Sequence, residues 1–222
     1  MLFDVDGTLC DSDPLHLATF QEFLAERGFN GGTKIDEAFF REKIAGRHNP
    51  DIFRELFPQL SAAEQAALGE EKEALWRRMA RGKLEPVAGL EDFLGWVDRQ
   101  GLRKAAVTNA PRLNAECMFE ALGLADYFDD VIIGAECARA KPFPDPYLRG
   151  LSSLGLRAEE ALVLEDSPAG IRAAKGAGLA VVGLLTGQEA ADLLAAGADV
   201  VRRDYRGLEG LLGPRGAGGE GG

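Results

Sequence analysis

The sequence predicts an α/β fold in which a parallel sheet carries helices on both faces and a helical domain follows the first strand. Six short apolar runs have the character of buried strands, at residues 1–5, 103–107, 131–133, 161–164, 179–184 and 199–201. They are rich in Val, Ile and Leu and do not alternate strictly, which is typical of parallel strands buried on both faces. Helical patterns separate the later runs, so strand and helix alternate along the chain.

Residues 13–83 interrupt this alternation. They contain four helical patterns, at residues 14–27, 35–45, 49–57 and 61–81, and no convincing strand. The last pattern opens with Ser61 and Glu64, the spacing of a capping box. Because an insert must leave and re-enter the sheet at one edge, we expect residues 9–14 and 82–86 to be adjacent hinges of a lid.

The predicted domains are an α/β catalytic core at residues 1–12 and 84–212, a helical cap at residues 13–83, and a tail at residues 213–222. The tail is rich in glycine and has almost no apolar side chain to bury, so the sequence predicts that it is disordered.

Composition restricts the partners and the compartment. The chain has 222 residues, of which 46% are apolar and 27% charged, as in ordinary globular proteins. Its net charge of −11 and the absence of a basic cluster argue against a nucleic-acid or acidic-membrane partner. Cys10, Cys117 and Cys137 are odd in number and lack metal-ligand spacing, which predicts free thiols in a reducing compartment.

No apolar run approaches the ~20 residues that a membrane span requires, so we expect a cytoplasmic protein without a membrane partner. We also expect a monomer. An alternative is that the natural chain begins upstream of Met1 with an organellar targeting segment. It arises because only three residues precede Asp4, fewer than a buried strand usually has.

The most informative segment is Asp4-Val-Asp-Gly-Thr-Leu9, which ends the first predicted strand. The side chains of Asp4 and Asp6 are two positions apart, so strand periodicity directs both toward the space beyond the strand. Paired carboxylates in a crevice suit acid/base work, metal binding or both. The alternative is a simple turn, because Asp-Gly is a common turn dipeptide.

Three later segments also end or follow apolar strands with polar residues. Thr108 and Asn109 supply a hydroxyl and an amide in a loop whose backbone N–H groups can bind phosphate. Lys141 lies in a proline-rich turn, where it either neutralises an anion or is an ordinary surface lysine. Glu165 and Asp166 follow the fourth strand.

Oxygen ligands from these strand ends predict a Mg²⁺ site. Asp4, the backbone carbonyl of Asp6 and Asp166 would leave open positions for water and phosphate, and Glu165 would bind the metal or one of its waters. The same segment also predicts a helix start, with Ser167 as N-cap before Pro168, and the two interpretations are compatible.

In this order the four segments resemble the haloacid dehalogenase superfamily, specifically its phosphatases with a helical cap after the first strand. The resemblance covers residues 1–212. It implies a Rossmann-like core, Mg²⁺ as cofactor, Asp4 as nucleophile and Asp6 as general acid/base. It further implies that Thr108, Asn109 and Lys141 bind the phosphoryl group, and that Asp4, Asp6, Glu165 and Asp166 bind the metal.

The resemblance is strongest to the β-phosphoglucomutase-like subgroup, which acts on small sugar or polyol phosphates. Ser12, His16 and Lys72 align with cap and hinge residues of that subgroup, and Arg47 follows a glycine in the insert. Alternatively, Arg47 and Lys72 are solvated helix charges and His16 only packs or caps.

Mutases of the subgroup usually carry Ser at the second motif, where this chain has Thr108-Asn109, so the motif favours hydrolysis of a small phosphorylated metabolite. A sugar-phosphate mutase, a phosphoglycolate phosphatase and a catalytically silent binding protein are the alternatives.

Overall fold

A computed structural model describes residues 1–45 and 47–213 of the chain. Of the predicted tail at residues 213–222, all but Gly213 lies outside the described residues. The chain forms two compact units. The core unit contains Met1–Asp11 and the chain from Glu85 onward, and the helical unit is Ser12–Leu84.

The core unit contains one six-stranded sheet. Its strands are β1 Leu2–Phe3, β2 Ala105–Thr108, β3 Asp130–Ile133, β4 Leu162–Glu165, β5 Ala180–Leu184 and β6 Val200–Arg202. The order is β3-β2-β1-β4-β5-β6, and every pairing is parallel. The predicted parallel sheet is therefore confirmed. The first strand is shorter than predicted and ends at Phe3. Just beyond it, the backbone N–H of Asp4 donates to Leu164 O in β4 at 3.0 Å.

Ten α-helices lie within the described residues. They are α1 Asp13–Glu26, α2 Glu37–Lys43, α3 Asn49–Leu56, α4 Ala62–Ala80, α5 Leu90–Arg99, α6 Arg112–Leu122, α7 Asp145–Leu154, α8 Pro168–Gly176, α9 Ala190–Ala196 and α10 Leu208–Leu212. Short 3-10 turns lie at Phe29–Gly32, Gly134–Glu136 and Ala158–Glu160. No helix in these described ranges is long and apolar enough to cross a bilayer.

Helices cover both faces of the sheet. Successive side chains of a strand point to opposite faces. Leu2 belongs to a buried cluster with Leu151 of α7 and Ile171 of α8. The ring of Phe3, the next residue, lies 6.3 Å from that of Phe93 in α5. Burial on both faces explains why these strands read as continuous apolar runs.

The two ends of the helical insert emerge side by side from the core unit. Cys10 forms an isolated antiparallel bridge with Pro86, and the N–H of Val87 donates to Leu9 O at 2.9 Å. The residues predicted as hinges therefore begin from adjacent positions. The three cysteines, Cys10, Cys117 and Cys137, form no disulfide within the described residues, which agrees with the sequence.

The helical unit has its own aromatic core. Phe53 of α3 is fully buried, and its ring centroid lies 6.2 Å from that of Phe20, 5.7 Å from Phe23 and 6.3 Å from Phe57. The predicted capping box at the start of α4 is present. Its two bonds run from the N–H of Glu64 to Ser61 Oγ at 3.3 Å and from the N–H of Ser61 to Glu64 Oε2 at 2.8 Å.

Truncation of the aromatic core should destabilise the protein far more than truncation of a surface aromatic. We expect Phe53→Ala to lower the free energy of unfolding by about 3–5 kcal/mol, because it leaves a cavity among three other rings. Phe143→Ala is the matched control, since that ring is 46% exposed; its cost should stay under about 1 kcal/mol. Urea denaturation followed by circular dichroism measures both, and equal losses would contradict the prediction.

Candidate active site

The predicted polar residues meet at the carboxyl edge of the sheet. Phe3 of β1 pairs with Ala106 of β2 and with Leu164 of β4. Asp4, which follows Phe3, therefore lies next to the ends of both neighbouring strands, which carry Thr108 and Glu165. In a parallel sheet this edge, where the connections diverge to either side of β1, is the usual place for a ligand.

The ammonium group of Lys141 joins these strand ends. Lys141 Nζ donates to Asp4 Oδ1 at 2.6 Å, to Glu165 Oε1 at 2.6 Å and to the backbone oxygen of Val107 at 2.7 Å. Only 4% of Lys141 is exposed, so it is not the surface lysine of the alternative interpretation. Burial disfavours its charge, but Asp4 and Glu165 outweigh burial and raise the pKa of Lys141, so the ammonium stays protonated.

Asn109 fixes the backbone of Lys141. Its Nδ2 donates to Lys141 O at 3.1 Å, and its Oδ1 accepts from the Lys141 N–H at 3.2 Å. The side chain of Asn109 is therefore hydrogen-bonded to the backbone of Lys141, and its contact with phosphate stays a prediction. Thr108, 1% exposed, accepts from the N–H of Ala110 at 3.0 Å.

Glu165 has different partners from those of a typical metal ligand. Oε1 accepts from Lys141 Nζ and from the Tyr147 hydroxyl, while Oε2 accepts from the N–H of Asp166 and from the N–H and hydroxyl of Ser167, all within 2.6–3.0 Å. Five donors saturate this carboxylate, because a carboxylate offers only about four lone-pair sites. Glu165 therefore acts through hydrogen bonds in this structure, and its metal contact stays a prediction. Ser167 also caps α8, as predicted.

Asp166 packs against the turn that follows Asp4. Its Oδ1 accepts from Thr8 Oγ1 at 3.2 Å. Gly7 has a φ of +83°, and a Cβ there would lie 2.1 Å from Asp166 Oδ2. Glycine is therefore required at position 7 for its conformation and for the close approach of the carboxylate.

The acidic cluster has the composition of a divalent-cation site. Carboxylate oxygens of Asp4, Glu165 and Asp166 all lie within 4.8 Å of one another, so this part of the chain could hold a metal. Three carboxylates face one ammonium, which leaves two negative charges uncompensated when all of them ionise. Oxygen ligands and a surplus of two charges suit Mg²⁺.

The pKa values in the cluster reflect burial first and this surplus of negative charge second. Burial raises the pKa of Asp4 to about 7; the charges of Glu165 and Asp6 add to the effect and Lys141 opposes it. Burial also raises the pKa of Asp166 well above its ordinary value, with the charges of Asp4 and Glu165 adding to the shift. Without a cation, the carboxylates therefore resist full ionisation.

Asp6 lies outside the strand. Because β1 ends at Phe3, the two-residue periodicity that predicts a shared direction for Asp4 and Asp6 does not extend to Asp6. Asp6 instead forms an isolated bridge with Cys10 at the start of a tight turn, and its side chain is half-buried.

Sequence reasoning did not identify three buried or half-buried hydroxyl groups at the site. Tyr147 donates to Glu165 Oε1 at 3.0 Å, Thr186 to Gly7 O at 2.6 Å and Tyr205 to Thr8 O at 3.1 Å. Burial raises the pKa of both tyrosines well above their ordinary value, so both remain donors. Both tyrosines lie in polar stretches of the sequence, so no local pattern distinguishes them from surface residues.

The candidate cap residues lie in the helical unit. His16 Nδ1 is 3.2 Å from Lys72 Nζ, and the His16 ring stacks on Trp76 with centroids 5.1 Å apart. Lys72 is 2% exposed and lies 3.0 Å from Glu73, so it is not a solvated helix charge. Arg47 is exposed, and its Nη1 lies 2.7 Å from Glu55.

Comparison with known proteins agrees with this arrangement. A profile of the haloacid dehalogenase-like hydrolases matches residues 1–184. The chain belongs to this family. Phosphoglycolate phosphatase from Rhodospirillum rubrum is 32% identical over 220 residues, which are 96% of this chain and 90% of the relative. A phosphorylated carbohydrates phosphatase from Thermotoga maritima is 30% identical over 184 residues, 81% of either protein.

A solved structure shows the same likeness. CbbY from Rhodobacter sphaeroides in complex with phosphate superimposes with a TM-score of 0.77 and 30% identity, covering 93% of this chain and 94% of that one. The family resemblance read from the four motifs is therefore confirmed.

Removal of the Lys141 ammonium should destabilise the core unit. Lys141→Met leaves two buried carboxylates without a counter-charge, which costs about 3–5 kcal/mol of unfolding free energy. Lys175→Met is the matched control, because Lys175 forms a surface ion pair with Asp199 at 2.9 Å, worth at most about 1 kcal/mol. Urea titrations without divalent cations compare the two, and a Lys141→Met cost no larger than the control's would contradict the role given to Lys141.

Proposed function

We propose that this protein is a Mg²⁺-dependent phosphatase that hydrolyses a small phosphate monoester, a sugar or polyol phosphate, through an aspartyl phosphate on Asp4. The observation that supports this proposal most directly is the buried contact of 2.6 Å between Asp4 Oδ1 and Lys141 Nζ, beside a cluster of carboxylates. The relatives named as phosphatases of phosphoglycolate and of phosphorylated carbohydrates support this reaction class.

The reaction has two steps. Asp4 attacks phosphorus, the bond from phosphorus to the leaving alcohol breaks, and Asp6 protonates the alcohol oxygen. Asp6, now a carboxylate, removes a proton from water; the water oxygen attacks the phosphorus, and phosphate departs from Asp4. Asp4 and Asp6 lie two residues apart on the segment that leads from β1 into the turn at Gly7.

Other residues stabilise and orient the phosphoryl group. Lys141 offsets part of its negative charge and holds Asp4 in position, while Thr108 and backbone N–H groups of the following loop place its oxygens. Asp4, the Asp6 carbonyl and Asp166 would hold Mg²⁺, which when bound neutralises charge on the phosphoryl oxygens. Glu165 contributes by fixing Lys141 through Oε1.

We assign substrate specificity to the helical cap, which comprises residues 13–83. The chemistry belongs to the catalytic core, which comprises residues 1–12 and 84–212. His16 and Lys72 are the candidates with the firmest local support, since each is held by a defined neighbour. Arg47 is the third candidate. The cytoplasmic location and monomeric state belong to the same proposal.

A phosphate-release screen tests the reaction class. The substrates are sugar, polyol and two-carbon phosphates, each with Mg²⁺ and with EDTA. We expect turnover with Mg²⁺, a loss of at least about 10³-fold on chelation, and a comparable loss for Asp4→Asn because the nucleophile is absent. Asp129→Asn, at an exposed carboxylate that pairs with Arg103, is the matched control and should retain full activity.

The same screen separates the alternatives. Preference for phosphoglycolate over every sugar phosphate would replace the substrate class and leave the mechanism intact. Formation of glucose 6-phosphate from β-glucose 1-phosphate and a bisphosphate primer, without free phosphate, would identify a mutase. Turnover by Asp4→Asn above the level of a mock purification would overturn the mechanism.

A further inference from the structure

We propose that Thr186 and Tyr205, which belong to none of the four strand-end motifs, are positioning residues for Asp6. They hold the turn that carries Asp6 by donating to two consecutive backbone carbonyls. The inference rests on the proposed role of Asp6 as the acid that protonates the leaving alcohol.

The turn after β1 receives little support from the sheet. Backbone bonds inside it run from the N–H of Gly7 to Cys10 O at 2.9 Å and from the N–H of Leu9 to Val5 O at 2.8 Å. Both are local, and Gly7 adds a residue with wide conformational freedom. The position of Asp6 relative to Asp4 therefore depends on what holds the turn from outside.

Besides the contact of Thr8 Oγ1 with Asp166 and the bond from the Val87 N–H to Leu9 O, two side chains supply that support. Thr186, two residues after β5, donates its hydroxyl to Gly7 O at 2.6 Å, and Tyr205, which precedes α10, donates to Thr8 O at 3.1 Å. These bonds hold the Gly7–Thr8 and Thr8–Leu9 peptide units, the second and third peptide units after Asp6. They join the turn to residues about 180–200 positions further along the chain.

Tyr205 is itself rigidly held. It is fully buried, its N–H donates to Ala88 O at 3.0 Å, and its ring centroid lies 5.2 Å from that of Phe93. Its hydroxyl is therefore a fixed point for the Thr8 carbonyl. Loss of such a bond shifts the turn and Asp6 with it, without removing any group that contacts the substrate.

A displaced general acid affects substrates unequally. An alkyl phosphate needs protonation of its leaving oxygen, whereas p-nitrophenolate leaves with little help from an acid. The value of kcat/KM includes the step in which the phosphoryl group moves to Asp4 and the alcohol leaves. The ratio of kcat/KM values for the two substrates therefore depends on the position of Asp6. A change in the amount of folded enzyme would lower both values equally and leave the ratio unchanged.

The experiment measures kcat/KM of the Mg²⁺-loaded full chain for glycerol 1-phosphate and p-nitrophenyl phosphate. We expect Tyr205→Phe and Thr186→Val each to lose roughly tenfold with the alkyl ester and less than about threefold with the aryl ester, since small misplacements of catalytic groups have large costs. The double variant should lose more, and Thr186→Ser, which keeps the hydroxyl, should restore the wild-type ratio.

Tyr127→Phe is the matched control. The Tyr127 hydroxyl also donates to a backbone carbonyl, Leu94 O, at the same distance of 3.1 Å, but in a part of the core unit that holds none of the site residues. It loses the same type of hydrogen bond and should keep the wild-type ratio of kcat/KM values.

Asp6→Asn supplies the reference for an absent acid. If Asp6→Asn loses activity selectively with the alkyl ester while the Thr186 and Tyr205 variants do not, the positioning inference is overturned and the proposed function stands. If Asp6→Asn shows no selectivity, the acid role of Asp6 fails and the inference falls with it. Selective loss in all three, absent from Tyr127→Phe, supports both.

Discussion

The interaction on which the site depends is the buried contact of one ammonium with two carboxylates. Lys141 Nζ lies 2.6 Å from both Asp4 and Glu165, with all three side chains nearly inaccessible to water. A carboxylate buried without a partner is so costly that it would take up a proton. The ammonium opposes the effect of burial on the pKa of Asp4, and it also joins the ends of β1, β2 and β4.

Such a cluster requires space around each polar atom, and glycines provide it. A Cβ at Gly170, in the first turn of α8, would lie 1.5 Å from Glu165 Oε1, and one at Gly134 would lie 2.2 Å from Asn109 Oδ1. Both glycines let a neighbouring backbone approach a side chain that in turn holds Lys141. The geometry at the ammonium is therefore determined partly by residues that carry no functional group.

Much of the fold and the site is predictable because it is local in the sequence. Strand ends such as Val107-Thr108 and Leu164-Glu165 appear as apolar runs followed by polar residues, and parallel pairing then brings them to one edge. The partners of Glu165 were not predictable in this way. Tyr147 and Lys141 contact it from positions 18 and 24 residues away, and the packing of α7 and the bonds of Asn109 to the Lys141 backbone decide that they do. The strand periodicity used for Asp6 does not apply there, because β1 ends three residues earlier.

The same distinction explains why the chemistry can be read from sequence more readily than the substrate. Asp4, Thr108 and Glu165 occupy a fixed register, since each stands at or just beyond the end of a strand with defined neighbours. Lys72 has no such register. Lys72 of α4 contacts His16 of α1, which is 56 residues away in the sequence. The burial of Lys72 beside Glu73 follows from how α1 and α4 pack. The surroundings of such a residue are set by helix packing, so its local sequence predicts them less well than a strand end predicts its neighbours.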